Sequence, residues 1–243
     1  MNLTRTIFKR RKIEIDSYFD FIKLFDHVEI KSKDISPAPS TDSEVPISPD
    51  ISRYINDITL IRIMKSNALL MIYNLVESTV INGLNELYNK LNSNNVTYSA
   101  VRKEIQDLWF THKFRQSFKI DDNYKNYMNK AREIINLAVS ENSIQLNEAK
   151  FSFKGNLDED KILAICKEHG ITFNFSIPPD SAERLKVVKR HRNDLSHGES
   201  SFAECGGSIV FVELTKIKEQ AYSFLSEFLN CVKDYYDNDR FLK

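Results

Sequence analysis

Apolar residues recur at helical spacing along most of this chain, and they predict a mainly α-helical protein. The first such series is Ile15, Phe19, Ile22, Phe25 and Val28, whose members stand three or four positions apart. This spacing collects them on one face of an amphipathic helix. The sequence therefore predicts an N-terminal amphipathic helix within residues 1–30, with its clearest pattern from residue 13 onward.

Residues 31–50 have a different composition, which does not favour a helix. Four of the six prolines of the chain stand here, among serines and acidic residues. Such a mixture is typical of a connection rather than a packed element. We interpret it as a linker between the N-terminal helix and a body formed by residues 51–243. Two functions stay open for this linker, a passive connector and a segment that binds a partner.

The longest apolar stripe, from residue 51 to about residue 91, predicts the longest helix of the body. Its width indicates that the helix is buried on two sides. Asn74 and Glu77 interrupt the stripe one turn apart. A carboxylate within a buried face is costly unless it has a partner. Glu77 is therefore expected either to meet a cation or to lie on a solvated face.

Further helices are predicted over residues 97–110, 123–139, 158–169, 185–196 and 214–236, and Asp180 or Ser181 is the expected N-cap of the helix that contains residues 185–196. Ser99 is the expected N-cap of the first of these, and Gly170 is expected to end the third. Alternating apolar and polar residues predict short strands at 149–153 and 171–177, and Ile209 to Val212 form a third extended candidate. The expected architecture is an antiparallel helical bundle with a small extended insertion at about residues 145–180.

Composition limits the classes of function that remain. Lys plus Arg and Asp plus Glu both number 34, so the net charge is zero and a general attraction for nucleic acid is not expected. No apolar run is long enough to span a bilayer, which predicts a cytoplasmic protein without a membrane partner. The three cysteines are widely spaced, and they indicate neither a zinc site nor a disulfide framework.

The densest group of reactive side chains lies between Arg190 and Gly198. If this segment is helical, Asn193 and His197 stand one turn apart with Arg192 beside them. A permanent guanidinium charge and an imidazole that titrates near neutral pH are together able to bind a phosphate and transfer a proton. The other interpretation is a solvated helix end, in which cations complement the helix dipole and Gly198 is the C-cap.

The order Arg192-Asn193-Asp194-Leu195-Ser196-His197 resembles the Arg-x4-His signature of HEPN-domain ribonucleases in its Arg-Asn-x-x-x-His form. Residues 69–79, residues 154–158 and the pair Ser201-Phe202 extend the resemblance to the MAE-type HEPN-like nucleases. These proteins occur beside bacterial toxin and phage-defence genes. The resemblance covers about residues 50–240.

This resemblance implies an all-helical ribonuclease that acts as a homodimer, with two motifs facing each other across the interface. His197 is the implied general acid or base, Arg192 the phosphate ligand, and Asn193 the residue that orients the imidazole or a substrate oxygen. The implied product is RNA with a 2′,3′-cyclic phosphate end. Neither a metal nor a cofactor is expected. The candidate supporting residues are Glu77, as a partner for Arg192, together with Arg190 and Ser196.

The resemblance implies a toxin or phage-defence effector, but it does not specify how that activity is controlled. Relatives ending in Arg-x4-His-x-Tyr are silenced by a partner nucleotidyltransferase that modifies the tyrosine, and this chain has Glu199 at that position. Glu199 argues against that mode of control and leaves the identity of any protein inhibitor or antitoxin open. Two other functions remain open at this point, a non-catalytic dimeric module that binds RNA or a nucleotide and a scaffold or antitoxin-like partner.

Overall fold

The computed structural model describes residues 1–31, 58–117, 124–147, 156–173 and 181–243, and every structural statement below concerns these residues. Their regular structure is helical, which confirms the predicted fold class. The helices are α1 (Asn2–Lys31), α2 (Ile58–Ser93), α3 (Lys103–Ser117), α4 (Tyr124–Val139), α5 (Glu159–His169), α6 (Ser181–His197), α7 (Phe202–Gly207) and α8 (Phe211–Asp237).

The expected extended insertion is only partly within the described residues. The linker at 32–50 and the predicted strand at 149–153 lie outside them, as do residues 174–177. Over residues 156–173 the structure has α5 and no strand. Across the described ranges, strand-like backbone pairing is limited to isolated bridges, which join Thr97 to Ser143 and Val101 to Leu242.

The extended segment predicted at 209–212 is wrong, because α8 begins at Phe211. The backbone N–H of Leu214 already donates to the carbonyl of Val210 at 3.1 Å, which is a helical bond. Ile209 and Leu214 are buried, whereas Val210 is exposed. Within α8 the buried positions then recur at helical spacing from Leu214 to Ile217 and Ala221, and a run of four apolar residues was too short to distinguish the two periods.

The predicted start of α3 was also too early, and Ser99 is not its N-cap. The helix begins at Lys103, and the carbonyl of Arg102 accepts from the N–H groups of Ile105 and Gln106. The hydroxyl of Ser99 lies 3.0 Å from that of Thr97. The backbone bridges at Thr97 and Val101 hold this segment in another conformation before the helix starts.

The chain forms two compact units. The first unit consists of Met1–Ile7, Glu77–Ile177 and Ser223–Lys243, and the second consists of Phe8–Val76 and Pro178–Tyr222. Helices α1, α2 and α8 contribute residues to each unit. Fully buried side chains of the first unit include Leu84, Leu87, Trp109, Phe228 and Tyr235, and those of the second include Ile22, Leu69, Ile72, Tyr73 and Leu214.

In the first unit, α5 has the predicted ends and a buried histidine. The Asp158 side chain accepts from the N–H of Lys161 at 3.0 Å, and Gly170 closes the helix with a φ of 69°. His169 Nε2 lies 2.7 Å from the Tyr88 hydroxyl, and its Nδ1 lies 2.7 Å from the carbonyl of Ile165. Burial lowers the pKa of His169 to about 4, so the ring is neutral at physiological pH. Each of its two nitrogens has a hydrogen-bond partner.

Candidate functional site

The site is built on α6, whose formation follows from its apolar spacing. Leu185, Val188 and His191 recur every third residue and are buried, whereas Arg190 is exposed. One face of the helix is thus anchored in the second unit, and the predicted helical stripe is confirmed. The helix extends from Ser181 to His197, so it begins where the sequence places its N-cap and ends one residue beyond the predicted segment.

The end of α6 is fixed by Gly198, which has a φ of 72°. This left-handed conformation is unfavourable for residues with a Cβ atom and is common after the last turn of a helix. The N–H of Glu199 donates to the carbonyl of Asp194 at 2.8 Å and closes the turn. His197 is consequently the last residue of the helix, and its side chain is exposed.

The helical premise of the motif is therefore confirmed. Asn193 precedes His197 by one turn, so the two side chains project from the same side of the helix end. Arg192 and Asn193 are both half-buried, in contrast to the exposed imidazole. The structure thus places a half-buried arginine beside an imidazole that is open to solvent.

The contacts that hold Arg192 within the second unit include a hydrogen bond and an aromatic ring. Its Nη1 donates to Asn193 Oδ1 at 2.9 Å. Its Cζ lies over the ring of Tyr73, 5.1 Å from the centroid. A cation over an aromatic face at this distance is attracted by the ring quadrupole. Asn193 accepts a hydrogen bond from Arg192. From the sequence, its side chain was expected to orient the imidazole or a substrate oxygen.

Sequence reasoning did not assign a role to Tyr73. The residue stands in the apolar stripe of α2, where an aromatic side chain is expected to be core, and it is indeed only 1% exposed. Its position within residues 69–79, which carry part of the family resemblance, was the only available signal. The contact with Arg192 depends on how α2 and α6 pack in the second unit, which spacing alone does not specify.

The supporting residues have different surroundings. The Ser196 hydroxyl donates to the carbonyl of Arg192 at 2.7 Å, a bond to its own helix backbone that is common for serine. Arg190 is exposed, and its charge acts on the neighbouring His191. Glu77 is half-buried on α2 and belongs to the first unit. Its pairing with Arg192 stays a prediction.

Behind the motif, His191 joins α6 to α7. Its Nδ1 lies 3.2 Å from Cys205 Sγ, and both side chains are buried. Burial lowers the pKa of His191, with the charge of Arg190 as a further cause, and burial raises the pKa of Cys205. Both shifts favour neutral groups, so the pair is an imidazole and a thiol rather than an ion pair.

Helix α7 is itself tied to α2. Ser201 and Glu204 form a capping box at its start, and the Ser66 hydroxyl donates to the carbonyl of Phe202. At Gly206, an added Cβ would lie 1.8 Å from the carbonyl oxygen of Arg62, which shows how closely the two backbones approach. The Ser201-Phe202 pair of the family resemblance therefore begins the short helix that supports the motif from behind.

Two negative findings apply to the described part of the chain. None of its helices has both the length and the apolar character needed to cross a membrane. Within the same residues, histidine, cysteine, aspartate and glutamate side chains do not gather in threes at distances suited to a shared metal ion.

Comparison with known proteins assigns the family. The model of the MAE-type HEPN family matches residues 2–241, which includes α1 as well as the motif helix. Comparisons with curated proteins and with solved structures give no match. Membership of a HEPN family suggests a nuclease or an RNA-binding module. From the extent of this match, which confirms the resemblance noted at the motif, the chain belongs to the MAE-type HEPN family.

Proposed function

We propose that this protein is a metal-independent endoribonuclease that acts as a toxin or phage-defence effector. The observation that carries the proposal is the arrangement at the end of α6, where an exposed imidazole follows Asn193 by one turn and the guanidinium of Arg192 is anchored nearby. Such a pair supplies proton transfer and charge neutralisation at one place on the surface.

In the proposed reaction, a base removes the proton of an RNA 2′-hydroxyl, and that oxygen attacks the adjacent phosphorus. The bond from phosphorus to the 5′-oxygen breaks, and an acid returns a proton to the leaving 5′-oxygen. His197 serves as base or acid, while Arg192 neutralises the additional negative charge on the phosphate oxygens. The products are a 2′,3′-cyclic phosphate and a 5′-hydroxyl.

The reaction needs one base and one acid, and a single motif supplies one imidazole. Two protomers related by a two-fold axis would supply two copies of His197, one for each role. Isologous dimers are the commonest symmetric assemblies, so this solution requires no additional residue type. We therefore propose a homodimer with a composite site, and a protein inhibitor or antitoxin as the partner that controls it.

A cleavage assay tests the chemistry directly. Purified protein is incubated with a labelled RNA in the presence and absence of EDTA, and the ends of the fragments are identified. We expect cleavage to persist in EDTA and to leave cyclic phosphate ends. Loss of cleavage in EDTA with recovery in magnesium or manganese would contradict the proposed mechanism.

The same samples distinguish catalysis from binding alone. RNA that is retained by the protein in a gel-shift experiment, but remains uncut, would favour a non-catalytic RNA-binding module. Expression of the wild-type chain alone should arrest growth of a bacterial host, whereas expression of His197→Ala should not. Harmless expression of the wild type would instead favour a scaffold or an antitoxin-like role.

A further inference from the structure

The contact between Tyr73 and Arg192 has a consequence for the proposed reaction. We propose that Tyr73 is a positioning residue, whose ring holds the Arg192 guanidinium in the orientation in which it receives a phosphate. This inference rests on the proposed function and goes beyond it, because it assigns to α2 a part in the site that the motif itself does not contain.

Tyr73 acts through Arg192 rather than on the substrate. Its side chain is only 1% exposed, and its neighbours Leu69 and Ile72 on α2 are fully buried. An RNA phosphate is therefore unable to reach the phenol ring. Arg192 is half-buried as a residue, and its guanidinium lies over the Tyr73 ring. The role left to the ring is to fix the arginine.

Two different contacts restrain the guanidinium. The Tyr73 ring, with its centroid 5.1 Å from Cζ, attracts the positive charge and restrains the distance of the group from α2. The hydrogen bond from Nη1 to Asn193 Oδ1, at 2.9 Å, restrains its rotation. Arginine has a large rotamer entropy when free, and a preorganised guanidinium loses less of it when it binds a phosphate.

Arg190 provides a comparison within the same helix. It carries the same charge two residues earlier, but it is exposed, and none of the cation–aromatic contacts found among the described residues involves it. Its side chain therefore samples many orientations in solvent. Of the two arginines, only Arg192 combines partial burial with a contact to an aromatic ring. This favours Arg192 as the residue whose guanidinium is already oriented to stabilise negative charge in the transition state.

A graded series at position 73 tests the electrostatic role of the ring. Tyr73→Phe keeps the ring, and progressively fluorinated phenylalanines at the same position weaken its quadrupole with little change in shape. We expect the Phe variant to stay within about twofold of the wild-type kcat and the trifluorinated ring to lower kcat by about tenfold, within the range of cation–aromatic energies. KM should change little, since the arginine acts on charge that develops in the transition state.

Two controls separate this effect from a general loss of packing. Fluorinated phenylalanine at Phe228, a buried ring in the first unit, should leave kcat unchanged. Fluorination at position 73 should have no further effect on the residual activity of Arg192→Ala. A kcat that stays constant along the series, or that falls equally in the Arg192→Ala background, would overturn the positioning role.

A spectroscopic measurement makes the inference independent of cleavage. The Nε–H signal of Arg192, identified by its loss in Arg192→Ala, should be shifted by the ring current in the wild type and should return to the position of a solvated arginine in Tyr73→Leu. An unshifted wild-type signal would refute the inference. If the signal is shifted but the wild type does not cleave RNA, the proposed ribonuclease function fails while the contact stands.

Discussion

At the scale of single residues, the motif side chains differ in how strongly the fold holds them. His197 is exposed at the last position of α6, whereas Arg192 is half-buried and in contact with Asn193 and Tyr73. Removing the exposed imidazole therefore leaves no cavity, and removing the guanidinium eliminates a ring contact and a hydrogen bond. The two substitutions should affect the reaction alike and the stability differently.

We predict that His197→Ala and Arg192→Ala each lower RNA cleavage by two or more orders of magnitude, because acid–base and charge-stabilising groups act together. His197→Ala should keep the wild-type unfolding free energy, and Arg192→Ala should lose about 1 kcal/mol. Asn193→Ala should be milder, since the ring of Tyr73 still restrains the arginine. Cleavage rates and chemical denaturation of the three variants measure both effects.

The control for these variants should be an exposed residue. His112 and His169, two of the three histidines that stand alone in the sequence, are both buried, and His169 is hydrogen-bonded at both ring nitrogens. Their replacement would destabilise the protein and confuse the comparison. Arg132→Ala on α4 is better matched, since this arginine is exposed. Wild-type activity in His197→Ala, or an equal loss in Arg132→Ala, would make the motif structural.

The lowered pKa of His169 implies that the stability of the protein depends on pH. Its folded-state pKa of about 4 lies below the ordinary value of 6.5, so the unfolded chain binds the proton more strongly. The stabilisation is present above pH 6.5 and is lost as the pH falls towards 4. We expect the unfolding free energy to decrease by about 2 kcal/mol between pH 7 and pH 5 from this residue, with His191 contributing in the same direction.

Denaturant titrations at several pH values check this expectation. His169→Gln keeps hydrogen-bonding groups at the position but removes the titration, so its stability should be lower at pH 7 and should change less between pH 7 and pH 5. A variant with the same pH dependence as the wild type would show that the titration of His169 does not affect folding.

At the scale of elements, the short helix α7 connects the motif helix to α2. Its Cys205 contacts His191, the residue before Arg192, and its Gly206 lies against the backbone of Arg62. The close approach at Gly206 therefore determines where Cys205 stands. Through these contacts α7, which contains no proposed catalytic residue, helps to position α6, which contains the three motif residues.

We predict that Gly206→Ala destabilises the protein by about 1–3 kcal/mol, because the added methyl group would overlap the Arg62 carbonyl and the two helices would have to separate. In Gly207→Ala, the nearest atoms belong to the flexible side chain of Arg62 at 3.3 Å, so the loss should be under about 1 kcal/mol. Thermal unfolding should show a decrease of several degrees for Gly206→Ala only.

These two variants form a matched pair, since the same substitution is made at adjacent positions of one helix. Equal melting temperatures would show that the close contact between α7 and α2 does not limit stability. If Gly206→Ala also reduces RNA cleavage more than its stability loss explains, the position of α7 matters for the site as well.

At the scale of the whole molecule, family membership extends over α1 as well as the motif region. In the second unit, α1 is joined to α8 by the ion pair of Lys218 and Asp16 at 2.7 Å and by the hydroxyl of Tyr222, which donates to Asp16. The N-terminal helix is thus part of the folded body in that unit. Any assembly of two protomers has to be consistent with these intramolecular contacts.

We predict that the protein is a dimer at micromolar concentration, because a composite site needs two copies of His197. Sedimentation equilibrium measures the mass, and cleavage assays across the dissociation range should show activity falling with the dimer fraction. His197→Ala should remain dimeric, since its altered side chain is small and exposed. A monomer with full specific activity would contradict the composite site.

Local patterns in the sequence were enough to predict the helical class, the course of α2, α6 and α8, and the ends of α5. These features depend on local spacing and on capping residues such as Asp158 and Gly170, whose effect is confined to one helix. Short segments were less well determined. The conformation of residues 97–102, before α3, and of residues 209–212 depends on pairing with, and burial by, distant parts of the chain. Local periodicity does not contain that information.

The candidate motif was also apparent in the sequence, since Arg192 and Asn193 are adjacent and Asn193 precedes His197 by one helical turn. The surroundings of the motif depend on how the helices pack, which places the ring of Tyr73 beside Arg192 and Cys205 against His191, and leaves the arginine less exposed than the imidazole. The physical reason is that these contacts join residues more than ten positions apart. Helix packing brings them together, and no spacing rule within one helix specifies it.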